Sequence, residues 1–289
     1  MSTPSDSHQG PSGTYFVADR ANEDELARLQ SQDQMVTESM GGVLPEQPDP
    51  STFQRVLDVG CGTGGWLIET AKTYPHMSLL VGVDISERMI NYARARAEAQ
   101  RVSDRVEFHV MDALRILEFP DDYFDLVNER MGGSYLRTWD WPKLLQEFQR
   151  VVRPGGVIRC NETNIPESNS PALTRLLQIM LDAFYQAGHA FHATLDTGTK
   201  ELVRLMEQHG IQNVQTQWHE TEYRAGTSAG QLFYEDMARV FKIALPFFQK
   251  WTRVPDDYQE LYQQALKEMQ QPEFVAKGIM LTAWGIKNN

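Results

Sequence analysis

The sequence predicts an α/β fold: a Rossmann-like, seven-stranded, mostly parallel sheet with helices on both faces and a helical cap over its carboxyl edge. Three observations predict it. Between residues 55 and 162, short β-rich segments alternate with helical patterns, as in parallel sheets built from right-handed crossovers. A glycine-rich loop joins the first strand to the helix that follows it. Further helical segments stand before the first strand and between the last two strands.

Seven segments have the composition and apolar pattern of strands. They are residues 55–59, 79–84, 105–111, 123–129, 155–162, 213–218 and 278–287. The last one follows a long excursion, which is typical of a strand added antiparallel at the edge of a sheet. Three helices are predicted between the first five strands: one after the glycine loop, one capped by Ser86, and one that ends before Gly155.

Three helical segments lie outside this alternation, namely residues 23–40, 171–187 and 228–271, the last with two helical patterns and a kink at Pro246. The predicted divisions are a disordered tail (1–13), an N-terminal helical lid (14–45), a cofactor-binding core (46–170), a completion of the core with an apolar helix (171–227), a helical cap insertion (228–272) and a final strand (273–289). Because the sheet is complete without the lid and cap, we expect both to close over its carboxyl edge and exclude water.

Composition restricts the partners of the chain. Its 289 residues carry a formal net charge of −12, which disfavours nucleic acid and anionic membranes as partners. No apolar run reaches the roughly 18 residues of a membrane span, and the first residues lack the pattern of a secretory signal. Two cysteines, Cys61 and Cys160, are typical of a reduced, cytoplasmic protein. The sequence leaves the oligomeric state open.

The glycine loop is the strongest local signal. Four glycines within six positions of VLDVGCGTGGW, residues 56–66, indicate that a ligand approaches the backbone closely. As G-x-G-x-x-G, the loop matches the dinucleotide fingerprint; as D-x-G-x-G-x-G, it matches an S-adenosylmethionine site. A dinucleotide would present a pyrophosphate to the helix N-terminus, whereas S-adenosylmethionine presents an amino acid and a sulfonium. Asp58, two residues before the first glycine, suits the cationic ligand better.

Two further aspartates follow the next predicted strands. Asp84 ends the second strand and can accept hydrogen bonds from both ribose hydroxyls, a role common to the two cofactors. Asp112, in VMDAL after the third strand, is placed to accept from the adenine amino group. The carboxyl ends of parallel strands share one edge, so we expect these carboxylates to line one ligand site.

The segments VLDVGCGTGG, VGVDIS, VMDAL, FDLVNE and LLQEFQRVVRPGG resemble the successive motifs of class I S-adenosylmethionine-dependent methyltransferases. Within that class they resemble the small-molecule enzymes of ubiquinone and menaquinone biosynthesis. The resemblance covers roughly residues 50–165 and, loosely, the last strand. It implies S-adenosylmethionine as the cofactor. The positions that it assigns to cofactor binding are Asp58, Gly60, Cys61, Gly62, Gly64, Asp84, Ile85, Asp112, Ala113 and Asn128.

The resemblance also implies separate roles within this set. The backbone of Gly60 and Gly62 meets the methionine end of the cofactor, and the Asn128 carbonyl faces its amine. Ile85 packs on the adenine, and the Ala113 N–H donates to the ring. Outside the set, we predict that Tyr15, with Phe16 beside it, contacts both cofactor and acceptor from the lid.

Three residues are candidates for the catalytic step. Glu129 follows Asn128 where the fourth strand opens into a loop, and it could position or deprotonate the acceptor. Its alternative is a salt bridge with a nearby arginine, Arg130 or Arg137. His189 and His192, in GHAFHATLD after the apolar helix, are the candidate bases.

A metal site is not predicted. Glu129 and the pair Asn161-Glu162 stand at the ends of the fourth and fifth strands and have oxygen ligands suited to a hard cation. The catechol O-methyltransferases, which hold magnesium there, have an Asp-Asn pair where this chain has Asn-Glu.

The predicted function is methyl transfer from S-adenosylmethionine to a small, fairly apolar molecule at an O, N or C atom. A nucleic-acid substrate is disfavoured because NERMGG after the fourth strand lacks the Asn/Asp-Pro-Pro-aromatic loop of the N6-adenine methylases. The alternative is a non-methylating S-adenosylmethionine-binding protein, either a regulatory module or an enzyme that uses the sulfonium electrostatically.

Overall fold

In a computed structural model, which describes residues 14–17 and 23–288, the chain folds around an eight-stranded sheet. The strands are β1 (Arg55–Val59), β2 (Leu79–Asp84), β3 (Val106–Val110), β4 (Phe124–Arg130), β5 (Val152–Thr163), β6 (Glu167–Ser168), β7 (Gln212–Arg224) and β8 (Val275–Ile286). The helices are α1 (Glu23–Met40), α2 (Gly65–Thr73), α3 (Glu87–Ala99), α4 (Trp141–Val151), α5 (Pro171–Ala187), α6 (Thr199–Gln208), α7 (Ser228–Ile243), α8 (Leu245–Trp251) and α9 (Tyr258–Glu268). The predicted tail, residues 1–13, lies outside the described residues.

The sheet confirms the predicted α/β class. Strands β1 to β5 run parallel in the order β3-β2-β1-β4-β5, so their carboxyl ends share one edge. β8 runs antiparallel to β5 on one side and to β7 on the other. The crossover helices α2, α3 and α4 stand where the sequence predicts them, and the Ser86 hydroxyl caps α3 by accepting from the Met89 N–H.

Two features of the sheet differ from the prediction. The last strand, β8, is not at the edge: it lies between β5 and β7. β8 is mostly buried, whereas β7 exposes polar side chains along most of its length, and a polar strand is the better edge. The eighth strand, β6, has two residues that pair with β8 beyond the end of β5, too few to leave a periodic pattern in the sequence.

The helical additions also differ in detail. The segment 228–271 forms three helices instead of two, because Pro246 stands in the first turn of α8 and α7 ends before it. α6 was not predicted; its buried face consists of Thr199, Leu202, Leu205 and Met206. None of the helices in the described part of the chain is both long and apolar enough to cross a lipid bilayer.

Three large buried clusters hold the described part of the fold together, beside a small one of Val36, Met40 and Met280. One contains residues of α4 and α6 with the sheet, and a second contains residues of α2 and α3 with the sheet. The third joins α5, α7, α8 and α9 to Phe16, so the helices beyond the carboxyl edge have a core of their own. α5, which the sequence groups with the completion of the sheet, packs on α8 and α9 instead, and α1 packs on α7.

Candidate active site

A cavity of about 230 Å³ opens beside the glycine loop, at the carboxyl ends of β1, β2 and β3. We call it the glycine-loop cavity. Gly60 and Gly62 both have positive φ, 73° and 51°, which favours glycine. A Cβ at Gly62 would meet no atom within 4 Å, so this face of the loop is open to a ligand. A Cβ at Gly60 would lie 2.6 Å from the Tyr135 hydroxyl, so the ring of Tyr135 requires glycine there.

Most of the predicted cofactor residues come together in this cavity. Those that line it are Tyr15, Asp58, Gly60, Cys61, Gly62, Asp84, Ile85, Asp112 and Ala113. Two others do not line it. Gly64 faces the sheet, where a Cβ would lie 2.6 Å from the ring of Phe108, so this glycine permits the packing of α2. Asn128 is fully buried.

The two aspartates at the strand ends hold the loops that surround the cavity. The Asp84 carboxylate accepts from the Gly62 N–H at 3.1 Å and from the Ser86 N–H at 2.7 Å. It therefore fixes both the glycine loop and the start of α3. Asp112 accepts from the Leu114 N–H at 2.9 Å in the turn after β3. Both carboxylates thus stand at the cavity wall on anchored turns.

Asp58 is held by a row of buried polar side chains across three strands. Asp58, Asn128 and Arg159 are register partners on β1, β4 and β5. The Asn128 amide donates to Asp58 at 2.7 Å, and its oxygen accepts from Arg159 at 2.7 Å. Arg159 in turn donates to Glu46 at 2.8 Å. Burial raises the pKa of Asp58 to about 6, against the lowering effects of Arg130 and the Asn128 hydrogen bond, so the carboxylate is mostly ionised at neutral pH.

A second cavity of about 160 Å³ adjoins the first, and Gln32, Val36, Met131 and Ser134 line both. We call it the apolar cavity. Most of its wall is hydrophobic: Phe16, Met35, Ile165, Met180, Phe184, Phe233, Met237, Val240 and Met280. Tyr15 and Phe16, predicted to contact both ligands, line the glycine-loop cavity and the apolar cavity respectively.

One end of the apolar cavity is polar. Glu162, Asn164 and His189 line it there. Glu162 Oε1, Asn164 Oδ1 and His189 Nδ1 are buried and have no hydrogen-bond partner among the described residues. Unpaired buried polar atoms are costly and rare in folded proteins. These three acceptor-capable atoms therefore indicate a place for a ligand's polar group.

Glu129, the first catalytic candidate, is fully buried and lines neither cavity. Its Oε1 accepts from the Tyr135 hydroxyl at 3.4 Å. Among the described residues Glu129 forms no salt bridge with either arginine: Arg130 pairs with Asp33, and Arg137 stacks on Trp139. Burial raises the pKa of Glu129 well above its usual range, and the negative charges of Glu162 and Asp58 raise it further.

The two histidine candidates separate. His189 is buried at the polar end of the apolar cavity, and burial lowers its pKa, so the ring is neutral at neutral pH. His192 lines neither cavity; about half of its side chain is exposed, and it faces Glu201 at 3.6 Å. His189 therefore lies in the candidate site, and His192 lies outside it. In the range 23–288 and in residues 14–17, no group of three or more His, Cys, Asp or Glu is arranged to hold a metal ion.

A cluster of buried charged side chains forms part of the wall of the apolar cavity. Arg28 of α1 donates to Glu25 at 2.7 Å and to Asp236 of α7 at 3.1 Å. The same guanidinium donates to the Tyr15 hydroxyl at 2.9 Å. These contacts connect the segment before α1, α1 itself and α7 above both cavities.

Several residues of the site were not predicted from the sequence. Tyr135 lies against Gly60 in the loop after β4, and Gln32 and Asp33 reach the glycine-loop cavity from α1. Only the tertiary packing of α1 on the sheet edge brings its polar residues there, so no local pattern predicts them. Tyr135 could have been considered, since it stands two residues after the glycines of NERMGGSY.

Comparison with known proteins agrees with this geometry. Residues 56–156 match the methyltransferase domain family. Demethylmenaquinone methyltransferase of Bacillus licheniformis is 31% identical over 170 residues, which cover 55% of this chain and 71% of that enzyme. That of Lactiplantibacillus plantarum is 37% identical over 112 residues, covering 39% of this chain and 46% of the other.

Solved structures share the fold at low identity. Phosphoethanolamine N-methyltransferase 2 of Haemonchus contortus, in complex with S-adenosyl-L-methionine, superimposes with a TM-score of 0.56 at 17% identity, over 95% of this chain and 59% of that one. A putative methyltransferase of Bacillus halodurans gives a TM-score of 0.54 at 17% identity, over 86% of this chain and 97% of that one.

The cavity beside the glycine loop fits the cofactor that this family uses. The open face of Gly62, the carboxylate of Asp58 and the two aspartates on anchored turns offer partners for the amino acid, ribose and adenine. The family confirms S-adenosylmethionine as the predicted cofactor. It does not support the interpretation of the loop as a dinucleotide site. The chain belongs to the class I S-adenosylmethionine-dependent methyltransferases and is similar to the demethylmenaquinone methyltransferases.

Proposed function

We propose that this enzyme methylates a small, largely apolar molecule bound in the apolar cavity. The observation that carries the proposal is the pair of adjoining cavities, one at the glycine loop and one walled by aromatic and Met side chains, with four residues common to both. An acceptor in the second cavity would lie directly beside a cofactor in the first. Such placement of two reactants supplies much of the acceleration of a displacement reaction.

Different residues of the chain would bind the cofactor and act on the acceptor. S-adenosylmethionine, when bound, supplies an electrophilic methyl group on a sulfonium. Asp58 would hold the cationic amino end, with Asn128 fixing the carboxylate from below. Asp84 and Asp112 would accept from the ribose and the adenine amino group, and Ile85 would pack on the ring. Glu129 and His189 would act toward the acceptor.

The helical additions would shape the acceptor pocket and exclude water from it. We propose that residues 14–45 and 228–272 are the lid and cap of the core 46–170, with 171–227 and 273–289 completing it. The buried contacts of Arg28 with Asp236 support this function for α1 and α7, because they join the two helices over the apolar cavity. The separate hydrophobic cluster of α5 and α7–α9 supports a cap that folds as one layer.

The names of the curated relatives suggest the first acceptor to test. They methylate demethylmenaquinone by name, an apolar ring compound that is compatible with the aromatic wall of the apolar cavity. We propose a cytoplasmic location and no nucleic-acid partner; the free thiols Cys61 and Cys160 and the net charge of −12 support these two points.

The test is turnover with purified enzyme. We expect S-adenosylhomocysteine and a methylated product from a short-chain demethylmenaquinone reduced to its quinol, since the reduced ring is the nucleophilic form. Phosphoethanolamine, a small charged acceptor, is the matched control and should give neither. Turnover of phosphoethanolamine alone would contradict an apolar acceptor. Calorimetric binding of S-adenosylmethionine with no turnover of any acceptor would favour the non-methylating alternative.

A further inference from the structure

Two carboxyl groups meet between the cavities. Glu129 stands near the end of β4, and Glu162 stands near the end of the neighbouring strand β5. Glu129 is fully buried and Glu162 is partly buried, and their carboxyl groups contact each other directly. One oxygen of each, Glu129 Oε2 and Glu162 Oε1, has no hydrogen-bond donor among the described residues. A proton held between them would give both oxygens a partner and leave Glu162 Oε1 a second lone pair for a ligand donor.

Electrostatics favour a single proton on this pair. Burial raises the pKa of Glu162 to about 7, against the lowering effect of the Gly133 and Gly132 N–H groups. Burial also raises the pKa of Glu129 well above its usual range, and the negative charges of Glu162 and Asp58 raise it further. Two like charges in contact away from water cannot both remain ionised. The N–H groups of Gly133 and Gly132 favour the charge on Glu162, so we assign the shared proton to Glu129 and the carboxylate to Glu162.

Of the two glutamates, only Glu162 lines a cavity, and Glu129 reaches the glycine-loop cavity only through Tyr135. Glu129 accepts from the Tyr135 hydroxyl, and Tyr135 lines the glycine-loop cavity. Glu162 lines the apolar cavity and accepts from the Gly133 N–H at 3.2 Å, which fixes its orientation. Asn164 and the neutral His189 share that end of the cavity. The carboxylate therefore faces the acceptor.

The polar end also restricts the acceptor. Glu162, Asn164 Oδ1 and the unprotonated nitrogen of His189 are all hydrogen-bond acceptors. A ligand that matches them must bring donors, and the rest of the cavity is mostly hydrophobic, with Arg28 and Asp236 of its wall paired to each other. An aromatic or enolic hydroxyl on an apolar body fits this arrangement, and a quaternary amine or a carboxylate does not.

We propose that Glu162 is the general base of the reaction, and that the acceptor carries a hydroxyl whose proton it removes. This inference rests on the proposed function. The nucleophile forms a bond to the methyl carbon as the carbon–sulfur bond breaks, and that electron pair leaves with sulfur to give a neutral thioether. The hydroxyl proton goes to the Glu162 carboxylate, which becomes a carboxylic acid and returns the proton to solvent after product release. If a ring carbon is the nucleophile instead, the proton on that carbon is lost after methylation and the ring oxygen regains a proton to restore the hydroxyl. The net release therefore remains one proton.

The experiment compares Glu162→Gln with Glu167→Gln, an exposed glutamate of β6 that lines neither cavity. Turnover of the reduced short-chain demethylmenaquinone is followed from pH 5.5 to 9, with S-adenosylmethionine binding by calorimetry and thermal melts beside it. We expect Glu162→Gln to lower kcat about 100-fold, to leave cofactor affinity within a few-fold, and to abolish the rise of kcat with pH near 7. Glu162→Asp should restore part of the rate and of the pH dependence.

The outcomes distinguish a failure of the proposed acceptor from a failure of the proposed role of Glu162. If the wild type does not methylate the quinol, the proposed choice of acceptor fails, and the role of Glu162 fails with it. If the wild type is active and a folded Glu162→Gln keeps the wild-type rise with pH, Glu162 is not the base, although the proposed function stands.

Discussion

The Asn128 side chain donates a hydrogen bond to the Asp58 carboxylate at 2.7 Å, and both residues stand at the same register level of neighbouring strands. From the family resemblance, the Asn128 carbonyl is expected to face the amine of the cofactor. The structure adds a different function for its side chain, which sits between Asp58 and Arg159. Because an unpaired buried carboxylate is costly, this contact lets Asp58 remain charged beneath the glycine-loop cavity.

The first prediction concerns the pH dependence of cofactor binding. Burial raises the pKa of Asp58 to about 6, so its carboxylate gains a proton as the pH falls through that value. One unit below the pKa, only about a tenth of the protein carries the charge. We therefore expect the affinity for S-adenosylmethionine to weaken several-fold between pH 7.5 and pH 5, measured by calorimetry.

The control is Asp58→Asn, which should bind weakly at pH 7.5 and show little change on acidification. The exposed Asp104→Asn should behave like the wild type. A wild-type affinity that is flat over this range would mean that Asp58 does not hold the cationic end of the cofactor.

The second prediction concerns Asp84. Asp84→Ala removes the proposed ribose acceptor and also the acceptor of the Gly62 and Ser86 N–H groups. We expect binding of S-adenosylmethionine to weaken by about 1 to 3 kcal/mol, measured by calorimetry at pH 7.5. Asp104→Ala is again the matched control. A dissociation constant unchanged in a folded Asp84→Ala protein would show that the ribose lies elsewhere.

The third prediction concerns stability. The pKa of Glu162 is raised from 4.5 to about 7 in the folded protein, so this group stabilises the fold fully below pH 4.5 and loses that contribution as the pH rises through 7. Glu162→Gln cannot ionise. We therefore expect it to exceed the wild type in free energy of unfolding by about 1 to 3 kcal/mol at pH 8, and by much less at pH 5. Chemical denaturation at both pH values measures the difference.

Glu167→Gln should show no such pH-dependent difference from the wild type. A Glu162→Gln protein that is less stable than the wild type at pH 8 would indicate that the ionised carboxylate has a stabilising partner, contrary to the carboxyl pair described above.

The sequence could predict the glycine-loop cavity because its parts are local. Asp58, Asp84 and Asp112 each stand at or near the end of a strand whose apolar pattern is plain, and parallel strands bring such ends together. The order of the last strands was not predictable in this way. β8 lies inside the sheet because its two faces are better buried than those of β7, and that comparison depends on helices far away in the chain.

The residues around the apolar cavity were less predictable, because their contacts also depend on segments that are distant in the sequence. Glu162 was noted only as a residue type that could bind a cation, and its contact with Glu129 depends on the register of β4 and β5. His192 shares a short segment with His189, yet the turn after α5 buries one ring and exposes the other. The contact between Arg28 and Asp236 spans more than half of the chain, so no local pattern could show it.

The last prediction tests whether the cap shapes the acceptor pocket. Phe233 and Phe241 lie on the same helix, α7, and are both nearly fully buried. Phe233 lines the apolar cavity and stacks on Tyr223 at 4.5 Å between ring centroids. Phe241 does not line it and packs against Phe248 within the cap. The two rings therefore form a matched pair.

Truncation of either ring to Ala should lower stability by about 3 to 5 kcal/mol, because both leave a cavity in the same buried cluster. Phe233→Ala should in addition change the KM for the acceptor or the choice between acceptors of different size, with S-adenosylmethionine affinity within a few-fold of the wild type. Phe241→Ala should leave acceptor selectivity unchanged. Thermal melts beside substrate titrations separate the two effects. If both variants lose melting temperature and neither alters selectivity, the rings only hold the cap together, and the acceptor is recognised by other residues.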